Sequence, residues 1–144
     1  MAAALDEARA AALRGEVPVG VVIVARTDGE VIARAGNRVL ELKDPTAHAE
    51  MLAIRAAAKK LGNERLSGCD LYVTLEPCPM CAQAISLARI GRLYYGAEDP
   101  KGGGVDHGPR IFSHATCHHK PEVYGGISET HASRLLRDFF ASRR

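Results

Sequence analysis

Tryptophan is absent from this 144-residue chain, and aromatic residues make up only 5% of it. Its interior must therefore be filled by Ala, Val, Leu and Ile packed at close range. Cysteine is scarce as well: four residues are too few for a disulfide scaffold, and a Cys-x-x-Cys pair in such a chain reads as metal or redox chemistry. No apolar run approaches the length needed to span a bilayer; the longest strand-like stretch, 17–25, is far too short. The Ala-rich start is interrupted by Asp6, Glu7 and Arg9 and so lacks the core of a signal peptide, which makes the cytoplasm the expected compartment, with no membrane partner. Charge of one sign is also lacking. A formal net charge of +2 is too weak to imply nucleic-acid binding, so the placement of charge matters more than its sum. What remains is an ordinary soluble composition, 47% hydrophobic and 25% charged, in a length that suits a single domain over 1–144 with no linker.

Periodicity sketches the elements. Residues 2–14 form a first helix with Leu5, Ala8 and Ala12 on one stripe and Gly15 as its stop. The β-branched run 17–25, a turn at Asp28-Gly29 and the alternating run 31–35 predict a hairpin, followed at Asn37 by a polar loop to Pro45. A second helix starts near Thr46 or Ala47, with Met51, Ile54, Ala58 and Leu61 as its apolar side and Gly62 as its cap. Strands follow at 70–75 and 92–97, separated by a helix that Pro77 and Pro79 open. The Gly- and Pro-rich stretch 98–121 reads as a long functional loop with short helical pieces. Residues 128–141 close the chain as a helix whose apolar side is Leu135, Leu136, Phe139 and Phe140. Strands alternating with helices make this an α/β domain.

Chemistry concentrates in His48-Ala49-Glu50 and Pro77-Cys78-Pro79-Met80-Cys81, both at helix starts. Cys78 and Cys81 are i and i+3, so their sulfurs can converge on the first helical turn, where the helix dipole favours thiolate. His48 adds a nitrogen ligand. Three protein ligands to a tetrahedral ion leave one position for water, the mark of a catalytic zinc site, whereas structural sites use four. Two thiolates and an imidazole suit Zn2+, one ion per chain, and zinc brings the pKa of bound water near neutrality. Glu50 lies about 200° around an ideal helix from His48, so it is poorly placed as a ligand; side chains at a helix start lean toward the N-terminus, which lets it reach the same site as a general acid–base. The plainer alternatives are a thioredoxin-type redox pair and an incidental His. Cys69 and Cys117 complete no second spaced pair and read as packed or free thiols; the loop pair His118 and His119 reads as surface.

The combination His-x-Glu with Pro-Cys-x-x-Cys is the signature of the zinc nucleobase deaminases. Its flanks resemble the bacterial tRNA-specific adenosine deaminases over nearly the whole chain: Glu16-Val17-Pro18-Val19-Gly20, Gly36-Asn37-Arg38, Asp44 through Glu50, Leu71 through Cys78, Arg89-Ile90-Gly91-Arg92, Asp99-Pro100-Lys101-Gly102-Gly103 and Asp138-Phe139-Phe140. The resemblance implies a three-layer α/β/α cytidine-deaminase-like fold with a central mixed sheet of about five strands. It implies a homodimer that deaminates adenosine to inosine at the wobble position of an arginine tRNA, with zinc hydroxide attacking C6 while Glu50 protonates the ring. Asn37 matches the base-contacting asparagine, able to donate and accept at a purine edge, though by itself it also suits a turn closing a strand. Val19 and Leu75 match the apolar walls of the base pocket, and both also suit an ordinary core.

The target base must leave its stack to reach a buried metal, which is cheapest in a single-stranded loop such as the anticodon stem-loop. Asp99 and Lys101 match a loop near the RNA site. Arg134, Arg137, Arg143 and Arg144 against the single Asp138 make a basic C-terminal end, with Arg143 and Arg144 as candidate phosphate contacts, although solvated helix ends are commonly basic too. Pro79 departs from the tRNA enzymes, where a small or β-branched residue is usual, and matches the Pro-Cys-Pro-Met-Cys of free guanine deaminases. Two rivals follow: a guanine or free-nucleoside deaminase, and a non-catalytic zinc-stabilised binding module, whose site a fourth protein ligand should close.

Overall fold

The computed structural model describes residues 1–143. Its elements run α1 (Ala2–Leu13), β1 (Gly20–Ala25), β2 (Val31–Gly36), α2 (Val39–Leu42), α3 (Ala49–Leu61), β3 (Cys69–Leu75), α4 (Pro79–Leu87), β4 (Arg92–Ala97), a 3₁₀ turn (Ile111–Ser113), β5 (Glu122–Tyr124) and α5 (Glu129–Ala141). The five strands form one mixed sheet in the order β2-β1-β3-β4-β5. β1 is antiparallel to β2 and β3, while β3, β4 and β5 are parallel, joined through α4 and the long loop. Helices α1 and α5 pack on one face and α3 on the other, beside α4, which gives the three-layer α/β/α arrangement.

Register explains the main core. Val21 stands opposite Val73 and Ile23 opposite Leu71; Leu71 in turn pairs with Leu93, and Val73 with Tyr95. These side chains share a face and pack with Ala53, Ala57 and Ile85 in one buried cluster. The opposite face owes its close helix contact to missing side chains. A Cβ on Gly20 would lie 2.0 Å from the Ala4 carbonyl oxygen and 2.5 Å from the Ala8 nitrogen, so α1 rests directly on β1.

Several expectations are corrected. The first strand begins at Gly20, three residues late, because Pro18 has no N–H for a ladder and Val17 and Val19 close a tight turn instead, with the Val19 N–H donating to Val17. The presumed loop after Asn37 contains α2, whose Leu40 and Glu41 N–H groups are capped by the buried carboxylate of Glu16. The buried side of α3 is Ala49, Glu50, Ala53 and Ala57; Ile54 and Ala58 only flank the core and Leu61 is exposed. On α1 the buried stripe is Ala4, Leu5, Ala8 and Ala11, one turn position off Ala12. On α5 it is Ala132 and Phe139 with Leu136 packed beside them, while Phe140 faces solvent. β5, three residues on the far edge, adds a fifth strand to the four that periodicity marks out. No helix among the described residues is long and apolar enough to cross a membrane.

Candidate metal centre and active site

The carboxyl ends of β3 and β4 and the N-termini of α3 and α4 meet at one cleft of about 530 Å³. His48 and Cys78 occupy equivalent places: each is the N-cap of its helix, in extended conformation (φ −71°, ψ 150° and φ −67°, ψ 169°), so its side chain projects past the helix end. Cys81 sits in the first turn of α4 and is fully buried. The two helix N-termini meet here, and their dipoles favour anionic sulfur.

The donor atoms converge. His48 Nδ1 is 3.6 Å from Cys78 Sγ and 3.5 Å from Cys81 Sγ. Zinc–sulfur bonds of about 2.3 Å and zinc–nitrogen bonds of about 2.0–2.1 Å at a tetrahedral angle place S and N about 3.6 Å apart, the separation that both nitrogen–sulfur pairs show. All three donor atoms lie within 4.8 Å of one another, and among the described residues no fourth His, Cys, Asp or Glu joins them. The chemistry of the set agrees. A hydrogen bond from Cys81, helped by His48, holds the Cys78 thiol down, to about 4, while that same bond and burial push the Cys81 thiol far up. The bond to Cys78 raises His48. Cys69 and Cys117 are buried elsewhere, Cys117 beside the Ser86 hydroxyl, and belong to the packing.

Glu50 is the second residue of α3, 4% exposed, at the floor of the cleft. The helical-wheel angle that separates it from His48 does not apply, because His48 lies outside the helix. Burial pushes the Glu50 carboxyl up to about 7, against the lowering pull of backbone hydrogen bonding and of His48. Val19, Leu75 and Asn37 line the same cleft. Asn37 Oδ1 accepts the Ala49 N–H at 2.8 Å, so one of its two lone pairs braces α3, and Nδ2 remains as a donor.

Of the candidate RNA contacts, Asp99 and Arg143 line the cleft, and Lys101 is exposed outside its lining. Arg143 lies over the Phe139 ring, 3.6 Å from its centroid, which makes Phe139 a cleft residue rather than only a packing one. Arg144 lies outside the described residues. Sequence reasoning gave no role to Glu16, which lines the cleft mouth and caps α2, or to Glu76, whose side chain is fully buried beneath the 99–107 loop. The available signal was a nearby proline in each case, Pro18 two residues after Glu16 and Pro77 directly after Glu76.

Comparison with known proteins points the same way. Residues 1–97 match the family model for the cytidine and deoxycytidylate deaminase zinc-binding region. The chain is 61% identical over 144 residues to the tRNA-specific adenosine deaminase of Agrobacterium fabrum, covering 100% of this chain and 93% of that one. A solved structure from a study of A-to-I editing by tRNA:A34 deaminases superimposes with a TM-score of 0.91 at 62% identity, over 94% of this chain and 97% of that one. Guanine deaminase from Nitrosomonas europaea superimposes with a TM-score of 0.83 at 26% identity, over 96% of this chain and 81% of that one.

Proposed function

This chain belongs to the cytidine and deoxycytidylate deaminase zinc-binding family, and we propose that it converts adenosine to inosine at the first anticodon position of a tRNA. The observation that carries the reading is the convergence of His48, Cys78 and Cys81 at a cleft that His48, Cys78, the buried Glu50 and Asn37 line. The full-length likeness to a tRNA-specific adenosine deaminase supports adenosine in RNA as the substrate.

When bound, zinc supplies Lewis-acid activation of a water molecule near neutral pH. Glu50 takes a proton from the attacking water, delivers it to the ring nitrogen beside C6, and assists departure of the amine, so adenosine and water become inosine and ammonia. Val19 and Leu75 hold the flipped base between apolar walls, and Asn37 Nδ2 donates to a purine acceptor. Asp99, Lys101 and Arg143 contact the rest of the RNA loop, with Arg144 continuing the basic end. On the resemblance alone we assign an arginine tRNA, a homodimer, one deaminase domain over 1–144 and a cytoplasmic location; Leu87, 64% exposed on α4, offers a second copy an apolar contact. A zinc-stabilised module without catalysis is disfavoured by the three-ligand site.

The test is ammonia release from the purified protein incubated separately with an adenosine-bearing anticodon stem-loop, guanine and cytidine. Release from the stem-loop supports the assignment. Release from guanine alone overturns it in favour of the free-base reading that Pro79 permits.

A further inference from the structure

Glu76 is an acid with a fully buried side chain; among the described residues no Lys or Arg lies against it, and its five hydrogen bonds come from one loop. Oε1 accepts the Asp99 N–H at 3.1 Å and the His107 Nδ1–H at 2.7 Å. Oε2 accepts the N–H groups of Val105, Asp106 and His107 at 3.2, 3.0 and 3.1 Å. A carboxylate offers about four lone-pair sites, so this one is saturated and has nothing left for a metal or a substrate. Its work is to hold the loop.

The loop is held against the metal-binding segment from three sides. Glu76 lies two residues before Cys78, and the Gly104 N–H donates to the Pro77 carbonyl at 2.8 Å. Gly103 comes so near that a Cβ there would stand 2.3 Å from Glu76 Oε2. From β4, the hydroxyl of Tyr95, itself only 2% exposed, donates to the Asp106 carboxylate. The start of this clamped loop, Asp99 and Gly102, lines the cleft. Four of the five donors to Glu76 are backbone N–H groups; the fifth is the His107 ring, the one side-chain donor among them.

We propose that His107 is a positioning residue that, through Glu76, fixes the Asp99–Gly103 rim of the cleft where an RNA loop rests, without acting on the metal or on Glu50. The proposal rests on the RNA reading above. It separates two properties of the enzyme: the floor of the cleft governs the chemical step, and the rim governs how a macromolecular substrate is held. Loss of the His107 donor therefore weakens RNA binding and leaves turnover of bound RNA intact.

The experiment measures kcat and KM on the adenosine-bearing stem-loop, together with zinc content and melting temperature, for the wild type, His107→Ala and His107→Asn. The Ala variant should raise KM about tenfold, the scale of one hydrogen bond to a charged acceptor, with kcat within about twofold and one zinc per chain retained. The Asn variant, whose amide can donate to the same oxygen, should recover most of the loss. An unchanged KM, with or without a lower melting temperature, overturns the proposal, as does a fall in kcat accompanied by zinc loss. If the wild type leaves the stem-loop unmodified, the RNA reading fails, and amide hydrogen exchange then decides the clasp. Exchange at residues 99–107 should speed up in His107→Ala while β3 and α4 keep their protection; an unchanged pattern overturns it.

Discussion

The side-chain carbonyl of Asn37 accepts the backbone N–H of Ala49 at 2.8 Å, tying the end of β2 to the first residue of the helix that follows His48. One side chain thereby serves two ends. Its oxygen satisfies a helix N-terminal donor that would otherwise be orphaned and fixes the approach of His48 to the two sulfurs. The residue also lines the cleft, where its nitrogen can serve as a donor.

The two roles are separable by substitution. Asn37→Asp keeps the acceptor for Ala49 and removes the donor; its melting temperature should stay close to the wild type while kcat/KM on the stem-loop falls about 10–100-fold. Asn37→Ala removes both and should also melt lower, by a few degrees for about 1 kcal/mol. Equal melting losses in the two variants would show that the brace to Ala49 contributes nothing.

How much of this was legible beforehand depends on the range of the interactions. The His48-Ala49-Glu50 and Pro77–Cys81 motifs are local, and their spacings carry the ligand geometry with them. So are the proline that opens α4 and the Gly62 cap. Hydrophobicity ranks Met51 and Leu61 above alanine and so points to the wrong side of α3. Helix-to-sheet approach instead selects small residues, and Ala49, Ala53 and Ala57 let the helix settle onto β1 and β2. α2 exists because Glu16, 24 residues from Leu40, caps it. The clasp between Glu76 and His107 spans 31 residues. β5 is a three-residue edge whose pairing is set by its neighbour β4 rather than by its own pattern. None of these leaves a periodic trace.

The contact of α1 with the sheet predicts a severe cost for the smallest possible side chain. Gly20→Ala places a Cβ 2.0 Å from the Ala4 carbonyl oxygen, and backbone on both sides must move. Destabilisation of about 1–3 kcal/mol or more is expected, measured by urea unfolding, whereas Gly68→Ala, with open space around it, should change stability little.

Stability should also carry a pH signature at His107. Its hydrogen bond to Glu76 raises the imidazole above its ordinary value of 6.5, with Glu98 and Asp106 acting in the same sense. A raised folded value means the contribution is fully present below the unfolded pKa and is lost as pH rises through the folded one. The gap in melting temperature between wild type and His107→Ala should therefore be wider near pH 6 than near pH 9. A gap that widens toward alkaline pH would contradict the assigned pair.

Removal of the metal should abolish turnover reversibly. Dialysis against a strong chelator is expected to end ammonia release and lower the melting temperature, since an ion bound only by the folded state stabilises it. Zinc alone should restore both. Cys78→Ala should bind no zinc and gain nothing from its addition, because two donors remain of the three that converge.

The most direct test of the central claim pairs two quantities in one variant, Glu50→Gln: zinc per chain and turnover of the adenosine-bearing stem-loop. The amide keeps the shape and burial of Glu50 but cannot carry the proton. One zinc per chain with turnover reduced by at least about 10²–10⁴-fold is predicted. Turnover near the wild-type rate would contradict the assignment of Glu50 as the proton carrier, and loss of zinc would contradict a metal centre built from His48, Cys78 and Cys81 alone.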